Sequence, residues 1–304
     1  SGNWATRATG AVEDMAAPGV VDDHSFIRSR RTEHRVRAEN LAFDLDVWYP
    51  PLRNHTYETH FLPLTLAEAR AVIEFHDCTW RRAISSGALS FESVVALDAL
   101  QQRIQVLLES HPDTFHFGAF LRLCGRSPKD GEPLNRQTPL SMYRQQLHAM
   151  TPAEVHACKS PGNARLVAIG RATPGWLRLT SSAEAMNLLL TSERVYADMV
   201  DWLRFGEPEQ LAFRAFDPEM CQELEFRVFV SKNQVTAICQ YDHYTYYPRL
   251  NNMKGQVQER ILQAWQCVHD LVGEESYVVD FFYSPTKDKA TLIELSPFLE
   301  VAGQ

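Results

Sequence analysis

Apolar residues recur along this chain with two spacings, one helical and one alternating, and the two are interleaved. Helical spacing of Val95, Leu97, Leu100, Ile104, Leu107 and Leu108 predicts a helix over residues 92–109. Val257, Ile261, Leu262, Trp265, Val268 and Leu271 predict another over 257–272. Thr65-Leu-Ala-Glu68 and Ser181-Ser-Ala-Glu184 have capping-box spacing and open helices to about His76 and through Leu190. Shorter helices are expected at 140–150, after Thr151-Pro152 with Glu154 near the start, and at 193–203. Alternating or β-branched runs predict strands at 56–64, 115–123, 176–179, 210–216, 223–231 and 234–241, the last two joined by a turn at Lys232-Asn233. In the run 223–231, Leu224, Phe226, Val228 and Val230 share one face, and Glu225 and Arg227 share the other. Val47-Trp48-Tyr49 reads as a short apolar run stopped by Pro50-Pro51, residues 84–89 are ambiguous, and 159–171 fit neither spacing. Helices and antiparallel hairpins mix, so the expected class is α+β.

Residues 277–298 carry the most chemistry. Tyr-Val-Val-Asp-Phe-Phe-Tyr is followed by a polar link, Ser284-Pro-Thr-Lys-Asp-Lys289, and then by Ala-Thr-Leu-Ile-Glu-Leu-Ser-Pro-Phe, a hairpin pattern. With a turn centred near Lys287, Asp280 and Glu294 fall opposite each other, where side chains on one sheet face have Cβ atoms about 4.5–5.5 Å apart. Two carboxylates at that separation repel, or one stays protonated, unless a cation lies between them or each has its own basic partner. Mg²⁺ suits the first arrangement, since it is held by one or two carboxylates plus phosphates. Ser296, two residues on, shares the face of Glu294 and either completes a metal site or begins the turn into Pro297.

Arg122, Arg126 and Lys129 surround Gly125 and Ser127 at a strand end and the loop after it, a pattern that suits either a polyphosphate or plain solvation. Asp130 either orients or neutralises Lys129. Glu225 and Arg227 suit a cross-face ion pair, and Arg227 and Arg214 could instead point toward phosphate. Tyr241, His243, Tyr244, Tyr246 and Tyr247 form an aromatic segment of the kind that stacks nucleic-acid bases, but a net charge of −8 over 304 residues argues against that partner. Six cysteines without a CxxC pair read as reduced thiols. No apolar run approaches the roughly 18 residues of a membrane span, and no secretory signal is evident. Ser1-Gly2 reads as the remnant of a cleaved tag, and residues 1–18 as a poorly ordered tail. Arg28-Ser-Arg-Arg31 reads as a solvated segment. Walker A, GxGxxG, GxSxG and HExxH motifs are absent.

Taken in order, several stretches resemble the cell division cycle protein 123 family: Trp48-Tyr-Pro50, Arg126-Ser-Pro-Lys-Asp130, Leu179 through Ser192, Leu211-Ala-Phe-Arg214, Leu224-Glu-Phe-Arg-Val-Phe-Val230, Gln240-Tyr-Asp242, Val278-Val-Asp280 and Leu292-Ile-Glu-Leu-Ser-Pro-Phe298. The resemblance spans about residues 46–300. It implies a two-lobed ATP-grasp fold holding ATP and Mg²⁺ between its lobes. For eukaryotic members it implies a chaperone role in assembling translation initiation factor 2 through the gamma subunit. By the same resemblance Asp280, Glu294 and Ser296 fall on metal-ligand positions, Arg122 on a phosphate-binding lysine, and Arg214 and Arg227 on cleft arginines. Ser127, Arg126, Lys129, Phe216 and Glu225 complete the expected nucleotide-binding set. Arg stands where the family has Lys at 122, and Glu294 and Ser296 stand where it has Asp and Asn. The chain also ends soon after Glu300, where family members continue.

The expected organisation is a tail over 1–18, an N-terminal part of the ATP-grasp domain over 19–205, and a C-terminal lobe with the metal hairpin over 206–304. Two functional classes follow: a cytoplasmic, monomeric ATP/Mg²⁺-binding chaperone for the gamma subunit or another protein, or an ATP-dependent ligase or transferase. In the second, Arg122, Lys129 and Arg227 would offset charge developing on the phosphates.

Overall fold

The computed structural model describes residues 40–80, 87–135 and 137–298. The expected tail over 1–18, the basic run 28–31 and part of the ambiguous stretch 84–89 lie outside the described residues. In chain order the elements are α1 (Leu45–Leu52), β1 (Thr59–Pro63), α2 (Leu66–Phe75), α3 (Phe91–Ser110), β2 (Ala119–Leu123), α4 (Thr138–Ala149), α5 (Pro152–Ala157), α6 (Pro161–Trp176), β3 (Arg178–Leu179), α7 (Ser182–Thr191), α8 (Glu193–Phe205), β4 (Gln210–Ala215), β5 (Glu225–Ser231), β6 (Gln234–Gln240), α9 (Leu250–Val272), β7 (Tyr277–Ser284) and β8 (Lys289–Pro297).

Helix starts follow local side-chain chemistry. Thr65, Thr151 and Ser181 each accept a bond from the backbone of the glutamate three residues on, and that glutamate accepts from the cap backbone in return. The turn between β5 and β6 places both Lys232 and Asn233 at positive φ, 51° and 58°, the geometry of a two-residue hairpin turn.

Two four-stranded antiparallel sheets form, ordered β1-β4-β2-β3 and β6-β5-β7-β8. In the first, Leu121, Leu123, Leu211 and Phe213 pack with Val72, Leu97, Leu100, Ile104, Leu189 and Met199 of the covering helices. Alternation sends Phe120, Arg122, Ala212 and Arg214 to the opposite face. In the second, Phe226, Val228, Val279, Phe281 and Leu292 pack with Val257, Ile261 and Val268 of α9. Glu225, Arg227, Asp280 and Glu294 face the other way. Each sheet therefore has one apolar face under helices and one charged face, and the charged faces meet across a cleft.

Several elements differ from expectation. Pro50 and Pro51 do not stop the run at 47–49 but lie inside α1, because Leu45, Trp48 and Leu52 are all buried and anchor the helix despite the missing N–H donors. Residues 159–171, which fitted no pattern, form most of α6. Its start is capped by Ser160, and its buried face is Ala164, Val167, Ala168, Gly170, Ala172 and Pro174, most of them too small to register as a hydrophobic stripe. Trp176 ends that helix rather than starting a strand. Val95 and Leu271, expected on apolar stripes, are half-exposed. Helix α9 begins at Leu250, before the first apolar position that marked it.

The expected boundary near residue 206 falls between α8 and β4, yet β4 lies inside the first sheet, while α1 packs into the core of the second. Among the described residues, no helix is long and apolar enough to cross a membrane. All six cysteines are free.

Candidate functional site

Asp280 and Glu294 are register partners on β7 and β8. The pairing depends on a bulge. From Ser284↔Lys289 to Phe281↔Leu292 the strands run in simple register, which by itself places Ile293 opposite Asp280 and turns Glu294 toward the core. An extra residue at Ile293 shifts the register between Asp280 and Phe281, bringing Glu294 onto the cleft face and Ser296 with it. The turn centre thus lies slightly before Lys287, and the bulge makes up the difference. The Ile293 carbonyl, freed from the ladder, accepts a bond from Arg214 NH1 at 2.7 Å.

Each acid has its own arginine. Arg227 donates to Asp280 twice, Nε to Oδ1 at 2.9 Å and NH2 to Oδ2 at 2.8 Å. Arg122 NH2 reaches across from the first sheet to Glu294 Oε1 at 2.7 Å. Of the two arrangements open to a facing pair of acids, individual basic partners is the one present. Burial raises the Asp280 carboxyl, with Arg227 opposing it. Burial acts the same way on Glu294, but Arg122 and Lys129 outweigh it and hold that carboxyl below its ordinary range.

Beside this pair the cleft encloses a cavity of about 180 Å³ lined by Arg122, Ser127, Lys129, Arg214, Glu225 and Glu294, with Tyr57, Phe120, Pro128, Leu177, Leu188 and Tyr241 among its walls. Arg214 is buried, its Nε has no hydrogen-bond partner, and burial, then Arg122 beside it, pushes it down to about 10. Burial also pushes Glu225 up to about 7, with Asp280 and Glu294 adding to the rise and Lys129 opposing it. A buried arginine next to a like charge, with a donor to spare, is an arrangement that favours an anion.

The expected residues separate into those the cleft gathers and those it does not. Arg122, Ser127, Lys129, Arg214, Glu225 and Glu294 line it. Asp280 lies beneath Arg227 rather than on the cavity surface. Glu225 and Arg227 do not form a mutual ion pair, because the facing strand offers Arg227 a bidentate carboxylate. Arg126 leaves the phosphate cradle: it binds Asp198 at 2.5 Å and lines a second hollow of about 550 Å³ with Ser296, adjoining the first at Glu294, which lines both. Asp130 neither orients nor neutralises Lys129, since its carboxylate accepts from Ser192 Oγ at 2.7 Å and Arg194 N at 3.2 Å. Phe216 packs on Phe120, 4.9 Å between ring centroids, behind the cleft wall. The aromatic segment splits up: Tyr247 is buried in the core, Tyr244 is exposed, and Tyr241 lines the cleft. Tyr57 and Tyr241 were not foreseen at the site. For Tyr57 nothing in the sequence pointed there, whereas Tyr241 belonged to one of the quoted family stretches.

Residues 161–303 match the family model described as D123. Over these residues the chain is similar to the D123 family. The D123 stretch contains β4 to β8 and so both facing acids. A Danio rerio relative, "Translation initiation factor eIF2 assembly protein", is 32% identical over 78 residues, which is 25% of this chain and 22% of that relative's length. In architecture the chain is similar to Cdc123 from Schizosaccharomyces pombe, with a TM-score of 0.57, 18% identity and 88% of each chain covered. A C-terminally truncated form of the same protein gives 0.57 at 19% identity. The fold is the α+β, two-lobed ATP-grasp architecture that the family resemblance implied.

Proposed function

We propose that this chain binds ATP with Mg²⁺ in the cleft between its sheets and, in that state, assists assembly of translation initiation factor 2. The observation that carries the nucleotide part is the cross-strand pair Asp280–Glu294, facing Arg122 and Arg214 from the other sheet. The donor chemistry suits Mg²⁺, because oxygen ligands of this kind hold the ion together with phosphate oxygens. Among the described residues no group of three or more His, Cys, Asp or Glu is set to hold a metal alone. The phosphates are therefore needed to complete the shell, with Asp280 and Glu294 as carboxylate ligands and Ser296 as a further oxygen on the same face. The arginines that now satisfy both acids would turn to the phosphates. At about 180 Å³ the cavity is below the roughly 300–1,000 Å³ of typical ligand pockets, so binding includes some parting of the sheets.

The assembly part rests on the name of the Danio rerio relative, which calls that protein an eIF2 assembly protein. The family resemblance points to the gamma subunit as partner, and an assembly role on a translation factor suits a cytoplasmic protein. Calorimetry with ATP, with and without Mg²⁺, followed by capture of purified gamma subunit, tests both parts. Mg²⁺-dependent binding without turnover, plus gamma-subunit capture, supports the chaperone. Steady release of ADP or AMP over a panel of acceptors identifies a ligase or transferase instead. No ATP binding at millimolar concentration refutes the nucleotide reading.

A further inference from the structure

Tyr241 occupies a position that neither sheet creates alone. It follows β6, and its backbone N–H donates to the Glu225 carbonyl at 2.9 Å, which fixes the residue to the second sheet. Its side chain meets one cation from each lobe. Arg227, from β5, has its guanidinium carbon 4.8 Å from the ring centroid. Lys129, from the loop after β2, has Nζ 5.1 Å from the centroid and donates to the phenol oxygen at 3.3 Å. Lys129 makes no ion pair among the described residues, although Glu225 and Glu294 line the same cavity. A lysine ammonium has three donors on a flexible four-carbon stem. Here one donor is given to a neutral hydroxyl, which fixes the stem, while the ammonium stays within electrostatic reach of Glu225 and Glu294 without a direct ion pair to either. Arg227 is likewise held edge-on by Asp280 and face-on by the ring.

We infer that Tyr241 is a positioning residue, whose ring and hydroxyl hold Lys129 of one lobe and Arg227 of the other in register for the phosphates of a nucleotide in the cleft. The inference rests on the nucleotide reading above. A ring that only filled space would touch these cations by accident, and its removal would leave their contribution intact.

The test is calorimetric titration of the full chain with Mg²⁺–ATP. It compares wild type, Tyr241→Phe, Tyr241→Leu, Lys129→Met and the double variant Tyr241→Leu/Lys129→Met, with unfolding curves for each. Loss of the ring is expected to weaken binding about tenfold, and loss of the hydroxyl alone about threefold or less. The double variant is expected to lose less than the product of the two single losses, because Lys129 cannot be misplaced once it is gone. If Tyr241→Leu does not fold, the same cycle is run with Tyr241→Phe. Wild-type affinity in Tyr241→Leu, or losses that simply multiply in the double variant, overturns the positioning role while leaving the nucleotide reading in place. Absence of binding by the wild type overturns both.

Discussion

Replacing Asp280 by Asn removes a charge and almost no volume, so it isolates the electrostatics of the pair at the centre of the second sheet. In the wild type both carboxylate oxygens accept from Arg227, at 2.9 and 2.8 Å. An amide keeps one acceptor and turns an NH₂ group toward a guanidinium N–H, so one bond is lost and the other loses its charge assistance. Breaking a buried pair typically costs about 3–5 kcal/mol. Two features lower that figure here. The Arg227 side chain is 26% exposed and can recover water, whereas Asp280 is 2% exposed. The cost of burying the carboxylate charge, which raises the Asp280 pKa, is removed with the charge. We expect a loss of about 2–3 kcal/mol, or roughly 3–5 °C in Tm for a chain of this size. Urea and thermal unfolding followed by circular dichroism measure it, and Asp280→Asn/Arg227→Met should recover part of the loss. A Tm unchanged within about 1 °C, or a double variant whose losses add fully, would falsify the account of the pair. Calorimetry at a temperature where the variant stays folded then reads nucleotide binding separately, and we expect Mg²⁺-dependent binding to be abolished.

Three further outcomes are expected. Gly170→Ala should destabilise by about 1–2 kcal/mol even though alanine is the better helix former, because overpacking outweighs propensity; a Cβ there runs into the buried Tyr247 hydroxyl, and the penalty should shrink in a Tyr247→Phe background. Asp288 is held down to about 2, from an ordinary 3.8, by bonds from Arg260, then Gln256 and Tyr283. An acid depressed on folding contributes stability above its unfolded pKa and loses it as pH falls through the folded one. Stability should therefore decline between about pH 4 and 2, and an equally steep decline in Asp288→Asn would contradict the assignment. With a chromogenic thiol reagent, exposed Cys239 and Cys267 should react first, and buried Cys124 and Cys158 only on unfolding; more than two fast thiols would count against the packing.

Local chemistry was legible from the sequence. The capping boxes at Thr65 and Ser181, and the face alternation that separates Phe226 from Glu225 and Arg227, depend on residues a few positions apart, and all form. The opposition of Asp280 and Glu294 was legible too, although through a symmetric turn rather than through the bulge that produces it. Partners distant in sequence were not legible. Arg122 and Glu294 are 172 residues apart, and Lys129 and Tyr241 are 112 apart. Neither spacing carries a signal until the sheets face each other. Arg126 shows the converse error. Its neighbours suggested a phosphate loop, but Asp198 on a following helix captures it.

The irregularity at Ile293 sets a counting rule for relatives of this chain. Here the glutamate stands fourteen positions after the aspartate, and one of those positions exists only because the strand kinks. A homologue with a straight strand and the same turn must carry its second acid one place earlier to keep it in the cleft. An ungapped sequence comparison will therefore set that acid against Ile293 instead of Glu294, and only a single-residue gap after the hairpin tip brings the two acids into one column.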